Sequence, residues 1–169
     1  MKVLETERLI LRWLNTDDAA FILRLVNEPS WLKYIGDKGV RTLQDAENYI
    51  RNGPVEMYGR LGFGLYLVEL RDGSGPLGIC GLIKRESLEH VDLGFAFLAN
   101  FWHNGYAYEA ANAAMAYGKN VLGLSRIVAI VSRDNHPSSK LLEKLGFRFE
   151  RTVALNSDEG ELKLYATTV

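Results

Sequence analysis

The stretch "HVDLGFAFLANFWHNGYAYEAANAAMAYG" runs from an alternating apolar segment into an alanine-rich helical one, and the passage between them is a single glycine, Gly105. A helix that starts this way leaves about four N–H groups without intrahelical partners and carries roughly half a positive charge at its first turn. Its small face, Ala107, Ala110, Ala111 and Ala114, fits close packing on a sheet. Such a junction therefore calls for an α-plus-β architecture. It also offers a seat for an anion, because Gly105 removes a side chain at the point of approach and Ala107 keeps the next position small. A turn glycine ahead of a helix explains the same residues without any ligand.

The rest of the chain can be read around this junction. Leu9, Leu11 and Trp13 alternate with Arg8 and Arg12 as a first strand, and "NTDDAAFILRLVN" opens a helix that Pro29 is expected to end. A second short helix follows Thr42, with Leu43, Ala46 and Ile50 on one side and Gly53-Pro54 as its stop. The strands "FGLYLVEL" and "PLGICGLIK", joined across "RDGSG", then "HVDLGFAFL", make a meander. After the helix from Gly105 to Leu122 come the strand "RIVAIVS", a short helix from Pro137 to Leu145, and a closing hairpin of "FRFERTVAL" and "ELKLYATTV" across "NSDEG". This order predicts one α+β (mixed α/β) domain over residues 1–169, with a mostly antiparallel central sheet of about six or seven strands and helices on both faces.

Charge and cysteine content narrow the function classes. Twenty Lys and Arg against 21 Asp and Glu leave a formal charge of −1, so no global positive field exists for a nucleic acid or an anionic membrane. The single cysteine, Cys80, excludes an internal disulfide and a cysteine-rich zinc site; no metal is expected, and a reducing, cytoplasmic setting is. Residues 1–13 mix charged and apolar side chains and have neither a signal-peptide core nor a spanning segment. Nucleotide loops fail in detail: no G-x-G-x-x-G follows a strand, and Gly118-Lys119 is followed by Asn120 without the upstream glycine of a P-loop.

A second strand-to-helix junction lies in "SRDNHPSSKLLEKLGF", where Asn135 reads as a cap, Pro137 and Ser138 as first-turn residues, and Gly146 with Phe147 as the exit. Capping accounts for Asn135 on its own. Two such junctions at one edge of a sheet also make a crevice with two rows of amides.

Together, "TERLILRWLNTDDA", "DLGFAFLANFWHNGYAYEAANAAMAYG" with its Gly105-x-Ala107 turn, and N-x-x-S at Asn135 to Ser138 leading into "LLEKLGF" resemble the GNAT superfamily of N-acetyltransferases, especially the branch containing ribosomal-protein N-terminal acetyltransferases. The resemblance implies acetyl-coenzyme A with its pyrophosphate on the amides from His103 to Ala107, through Asn104, Gly105 and Tyr106. It implies a pantetheine arm on the main chain of the strand holding Phe97 and Leu98, two splayed central strands, and cofactor contact at Asn135. The chain departs from the family at His103 and Asn104, where a small or basic residue is common, which removes a charge contact with phosphate.

For transfer to an amine, the candidate general base is Asp92, which shares a strand face with Gly94, Ala96 and Leu98; a solvated strand-start aspartate is the other reading. Glu69 is the second candidate, and Ser138 the resemblance-based general acid. Tyr106 and Tyr108 flank the site. The expected partners are acetyl-coenzyme A and a primary amine, either a protein N-terminus or a small molecule, in a monomer or homodimer. Acceptor contacts are expected from "NEPSWLKYIGDKG" and "NSDEG". A non-catalytic domain that binds coenzyme A as a sensor is the alternative, motivated by the altered "WHNG" turn.

Overall fold

Eight strands form a single sheet in the order β1-β2-β3-β4-β5-β6-β8-β7, in a computed structural model that describes residues 1–155 and 160–168. The strands are β1 (Lys2–Glu5), β2 (Leu9–Arg12), β3 (Leu65–Leu70), β4 (Gly75–Ile83), β5 (Asp92–Phe97), β6 (Arg126–Ser132), β7 (Arg148–Val153) and β8 (Leu162–Thr168). The helices are α1 (Ala19–Leu25), α2 (Pro29–Tyr34), α3 (Leu43–Ile50), α4 (Glu56–Leu61), α5 (Tyr106–Asn120) and α6 (His136–Lys144). Every neighbouring pair is antiparallel except β5 and β6.

The architecture matches the α+β expectation, and three local expectations need correction. The sheet has eight strands, not six or seven, because Lys2–Glu5 adds an edge strand to β2; its four residues are too short and too charged for alternation to reveal. Pro29 ends no helix; it stands in the first turn of α2, where its missing N–H costs nothing. Gly53 and Pro54 do not stop the chain either. Arg51–Val55 continue as a wider π-helical turn that seats the buried Pro54 and runs straight into α4. The β7–β8 pairing is present, while residues 156–159 of "NSDEG" lie outside the described residues.

Two large cores flank the sheet, and a smaller one gathers Leu88, Val128, Leu164 and Ala166. On one face α5 and α6 pack through Ala110, Ala111, Ala114, Met115 and Leu142 onto Leu82, Leu93, Phe97, Ile127 and Phe147. Gly118 belongs here too, since a Cβ there would lie 2.8 Å from Leu82 Cδ1. On the other face α1, α2 and α3 bring Ile22, Leu25, Trp31, Ala46 and Ile50 against Leu67, Ile79 and Leu98. The local starts follow capping chemistry: Asn15 with Asp18, and Thr42 with Asp45, form reciprocal capping boxes. At the end of α6, Gly146 takes φ 97° and Phe147 N–H returns to Leu142 C=O at 2.9 Å, which folds the aromatic ring back into the core.

Candidate active site

Among the described residues, the only parallel pairing is also the weakest one. β5 and β6 share a single register pair, Asp92 with Val128, marked by the bond from Val128 N–H to Val91 C=O at 3.0 Å, and beyond it the strands separate. On an antiparallel ladder, main-chain groups of successive residues point alternately to the two sides. Leu98 N–H goes to Leu77 C=O at 2.9 Å, so Leu98, Ala96 and Gly94 face β4, whereas Val91, Leu93, Phe95 and Phe97 face β6. Where β6 has diverged, Phe95 N–H and C=O and Phe97 N–H therefore line an open edge. Phe97 C=O accepts the Trp102 indole N–H at 2.9 Å.

This gap opens into a cavity of roughly 820 Å³ bounded by α2, β5, the turn before α5, β6 and α6. At one end stands the uncapped start of α5. Gly105 takes φ 79° with no side-chain cap, and the first helical N–H to find a carbonyl is that of Glu109, on Gly105 at 3.0 Å. The N–H groups of Tyr106, Ala107 and Tyr108 precede it and find no carbonyl in the helix. His103 is held at φ 67°, a left-handed conformation that is uncommon for a residue with a side chain. The second junction differs: Asn135 Oδ1 accepts from Ser138 N–H at 3.3 Å, so α6 is capped and the two rows of free amides reduce to one. Asn135 and Ser138 both line the cavity. So does Lys144, whose ammonium lies 4.5 Å from the Tyr108 ring centroid.

Asp92 lies at the inner end. It is not a solvated strand-start residue: it is 1% exposed, and Arg85 Nε donates to its Oδ1 at 3.3 Å and its Oδ2 at 3.4 Å. Burial raises its pKa to about 6, with Arg85 and Lys84 opposing the rise. Arg85, which is 41% exposed at the side chain, also lines the cavity. A second cavity of roughly 470 Å³, walled by residues 38–40, α3 and the π turn, shares Lys38, Tyr49, Leu65 and Ile83 with the first. Ile83 pairs with Asp92 across β4 and β5, so the two cavities meet beside the carboxylate.

Other expected site residues fall differently. Glu69 is excluded from the cavity: on β3 it accepts from Arg12 at 3.4 Å, and Arg12 is in turn forked onto Asp18. Leu98 is corrected as well, since its side chain is 1% exposed in the α1–α3 core and its N–H is spent on β4; Phe95 replaces it on the open edge. Phe97, His103, Gly105, Tyr106 and Ala107 line the cavity, while Asn104 backs the turn with its amide bonded to Phe101 and Trp102 carbonyls. Trp31 and Tyr34 line it from α2, Trp31 from a buried position. Cys80 is fully buried and its thiol pKa is pushed up, which leaves it no nucleophilic role.

The profile of the acetyltransferase (GNAT) domain matches residues 8–148. The chain belongs to the GNAT acetyltransferase family. Among its relatives is the uncharacterized N-acetyltransferase YoaA of Bacillus subtilis (strain 168), 30% identical over 150 residues, which are 88% of this chain and 84% of that one. The uncharacterized N-acetyltransferase p20 of Bacillus licheniformis is 29% identical, covering 89% of this chain and 84% of its own. A GNAT acetyltransferase structure from Bacillus anthracis superposes with TM-score 0.81 and 26% identity over 99% of this chain and 98% of that one. RimL, a ribosomal L7/L12 α-N-protein acetyltransferase solved with coenzyme A, has TM-score 0.83 over 100% and 98% of the two chains; at 17% identity that likeness is one of fold.

GNAT acetyltransferases use acetyl-coenzyme A, and this chain is accordingly an acyltransferase. The candidate site fits that donor. The β5–β6 gap presents an unpaired strand edge of the kind an extended pantetheine arm can join, and the uncapped α5 start stands at the same cavity. Arg85 escapes sequence reasoning because it lies past the end of β4, where nothing signals that it turns back onto Asp92. Among the described residues, no helix is long and apolar enough to cross a membrane.

Proposed function

We propose that this GNAT enzyme acetylates a primary amine by direct attack, with Asp92 as the general base and the α5 turn as the diphosphate seat. The carrying observation is the buried carboxylate of Asp92 at the point where the donor cavity meets the second one. Acetyl-coenzyme A supplies an activated acetyl group as a thioester. Phe95 and Phe97 main-chain groups would orient its arm, and the Tyr106, Ala107 and Tyr108 amides would hold its diphosphate, with Lys144 adding positive charge nearby.

The attacking amine must be neutral. Deprotonating an α-amine of pKa about 8 costs roughly 1 kcal/mol at pH 7, against roughly 4 to 5 for a lysine side chain. Asp92, with its pKa near 6, is mostly ionised at neutral pH and still basic enough to take the proton, directly or through one water. Arg85 keeps the ionised form in place. Ser138, which lines the cavity at the start of α6, is the proposed donor toward the departing thiolate, which leaves readily without much help.

The acceptor enters through the second cavity in this reading. Lys38 and Asp45 line the second cavity, and Lys33 and Arg85 line the first beside it. The lining of neither cavity carries an excess of carboxylates to attract a polycation, and the lower cost of deprotonation favours a peptide N-terminus or a small α-amine over polyamines and aminoglycosides. The test is thiol release from acetyl-coenzyme A across short peptides, amino acids, polyamines and aminoglycosides, with mass spectrometry of the acceptor. Turnover confined to polycations, or none with any amine, contradicts the reading.

A further inference from the structure

Arg8, just ahead of β2, lies outside the cavity lining, yet it is tied to the diphosphate turn from behind. Its Nε donates to Glu109 Oε2 at 2.7 Å and its main-chain N–H to Glu109 Oε1 at 2.9 Å. Nη1 donates to the Asn104 carbonyl at 3.0 Å, and the guanidinium carbon sits 4.4 Å from the Tyr106 ring centroid. Thr6 Oγ1 donates to the same Glu109 carboxylate at 2.6 Å. A Cβ on Gly105 would come 3.4 Å from Arg8 Nη2, so this side chain packs directly against the turn.

The turn needs such a tie. His103 is held in the left-handed region, where its Cβ crowds the following carbonyl, and a conformation of that kind persists only where its surroundings enforce it. Glu109 is in the first turn of α5, so one guanidinium locks the helix and the turn that feeds it into a fixed relation. Its charge is answered by Glu109, which makes geometry, and not field strength, the main contribution.

We infer that Arg8 is a positioning residue for the donor's diphosphate, setting the aim of the Tyr106–Tyr108 amides through Asn104 and Glu109; this rests on the donor site proposed above. Lysine in its place keeps the charge and loses the fork, so Arg8→Lys behaves like Arg8→Gln.

The experiment compares wild type, Arg8→Gln, Arg8→Lys, Glu109→Gln and the Arg8→Gln/Glu109→Gln double variant. It reads calorimetric Kd for coenzyme A, kcat and KM with acetyl-coenzyme A, kcat/KM with acetyl-pantetheine, and Tm. The expected result is Kd and KM raised about tenfold with kcat within about twofold, no comparable loss with acetyl-pantetheine, and less than additive losses in the double variant. Unchanged Kd in folded Arg8→Gln, or equal losses with both donors, overturns the inference. If instead wild type binds coenzyme A and acetylates no amine, the functional proposal falls while the Kd comparison still decides the role of Arg8.

Discussion

Replacing Asp92 with asparagine separates chemistry from folding. The carboxylate is 1% exposed, and burial lifts its pKa from 3.8 to about 6. At pH 7 about nine-tenths of the folded protein then carries the base form, and at pH 5 about a tenth. The acid limb of kcat/KM should therefore rise with unit slope to an apparent pKa near 6 in wild type. Asp92→Asn should lower the plateau by about 10²-fold or more and abolish that limb, with the Kd for coenzyme A preserved.

Stability runs the opposite way. A carboxyl group whose pKa is higher folded than unfolded favours the native state most when both forms are protonated, below about pH 4. That advantage is lost as pH rises through the window from 3.8 to about 6, an order-of-magnitude cost of about 3 kcal/mol above it. The asparagine variant carries no such penalty, so its Tm should rise relative to that of wild type between pH 4 and 7. Steady-state kinetics from pH 5 to 9 and thermal melts from pH 4 to 7 measure the two effects. A variant with undiminished turnover and an intact acid limb refutes the role of Asp92.

Three further outcomes follow from the geometry. Glu69→Gln, which touches only the Arg12 cluster, should leave kcat/KM within about twofold. Ser138→Ala should lower kcat by no more than about tenfold, because the thiolate is already a fair leaving group, and should leave the cap made by Asn135 on the main chain intact; a loss of 10³-fold or more would make Ser138 essential. Gly105→Ala, forced to φ 79° with its methyl group 3.4 Å from Arg8 Nη2, should lower stability by about 1 to 2 kcal/mol and weaken coenzyme A binding by about tenfold in calorimetry; unchanged affinity would move the diphosphate seat elsewhere.

What was legible in the sequence was local. The Gly105 junction, the Asn135 cap and the Gly146 exit each rest on residues within one turn of one another, and the structure shows all three. The alternation in "DLGFAF" likewise places Asp92 on the same strand face as Gly94 and Ala96. It cannot reveal burial, because that depends on what covers the strand. Arg85 arrives from seven residues away across a turn, and Tyr49 reaches the same region from α3. The pairing of Arg8 with Glu109 spans 101 residues and has no local signature. Glu69 misled for the same reason: a carboxylate near a strand end reads identically whether it faces a cavity or, as here, an arginine on the neighbouring strand.

The most direct measurement is a crystal structure with acetyl-coenzyme A. It should show the arm bonded to the main chain of Phe95 and Phe97, the diphosphate on the amides at the start of α5, and the thioester within reach of Asp92 directly or through one water. Electron density for the donor in another place, with the β5–β6 gap closed or filled by side chains, would contradict it.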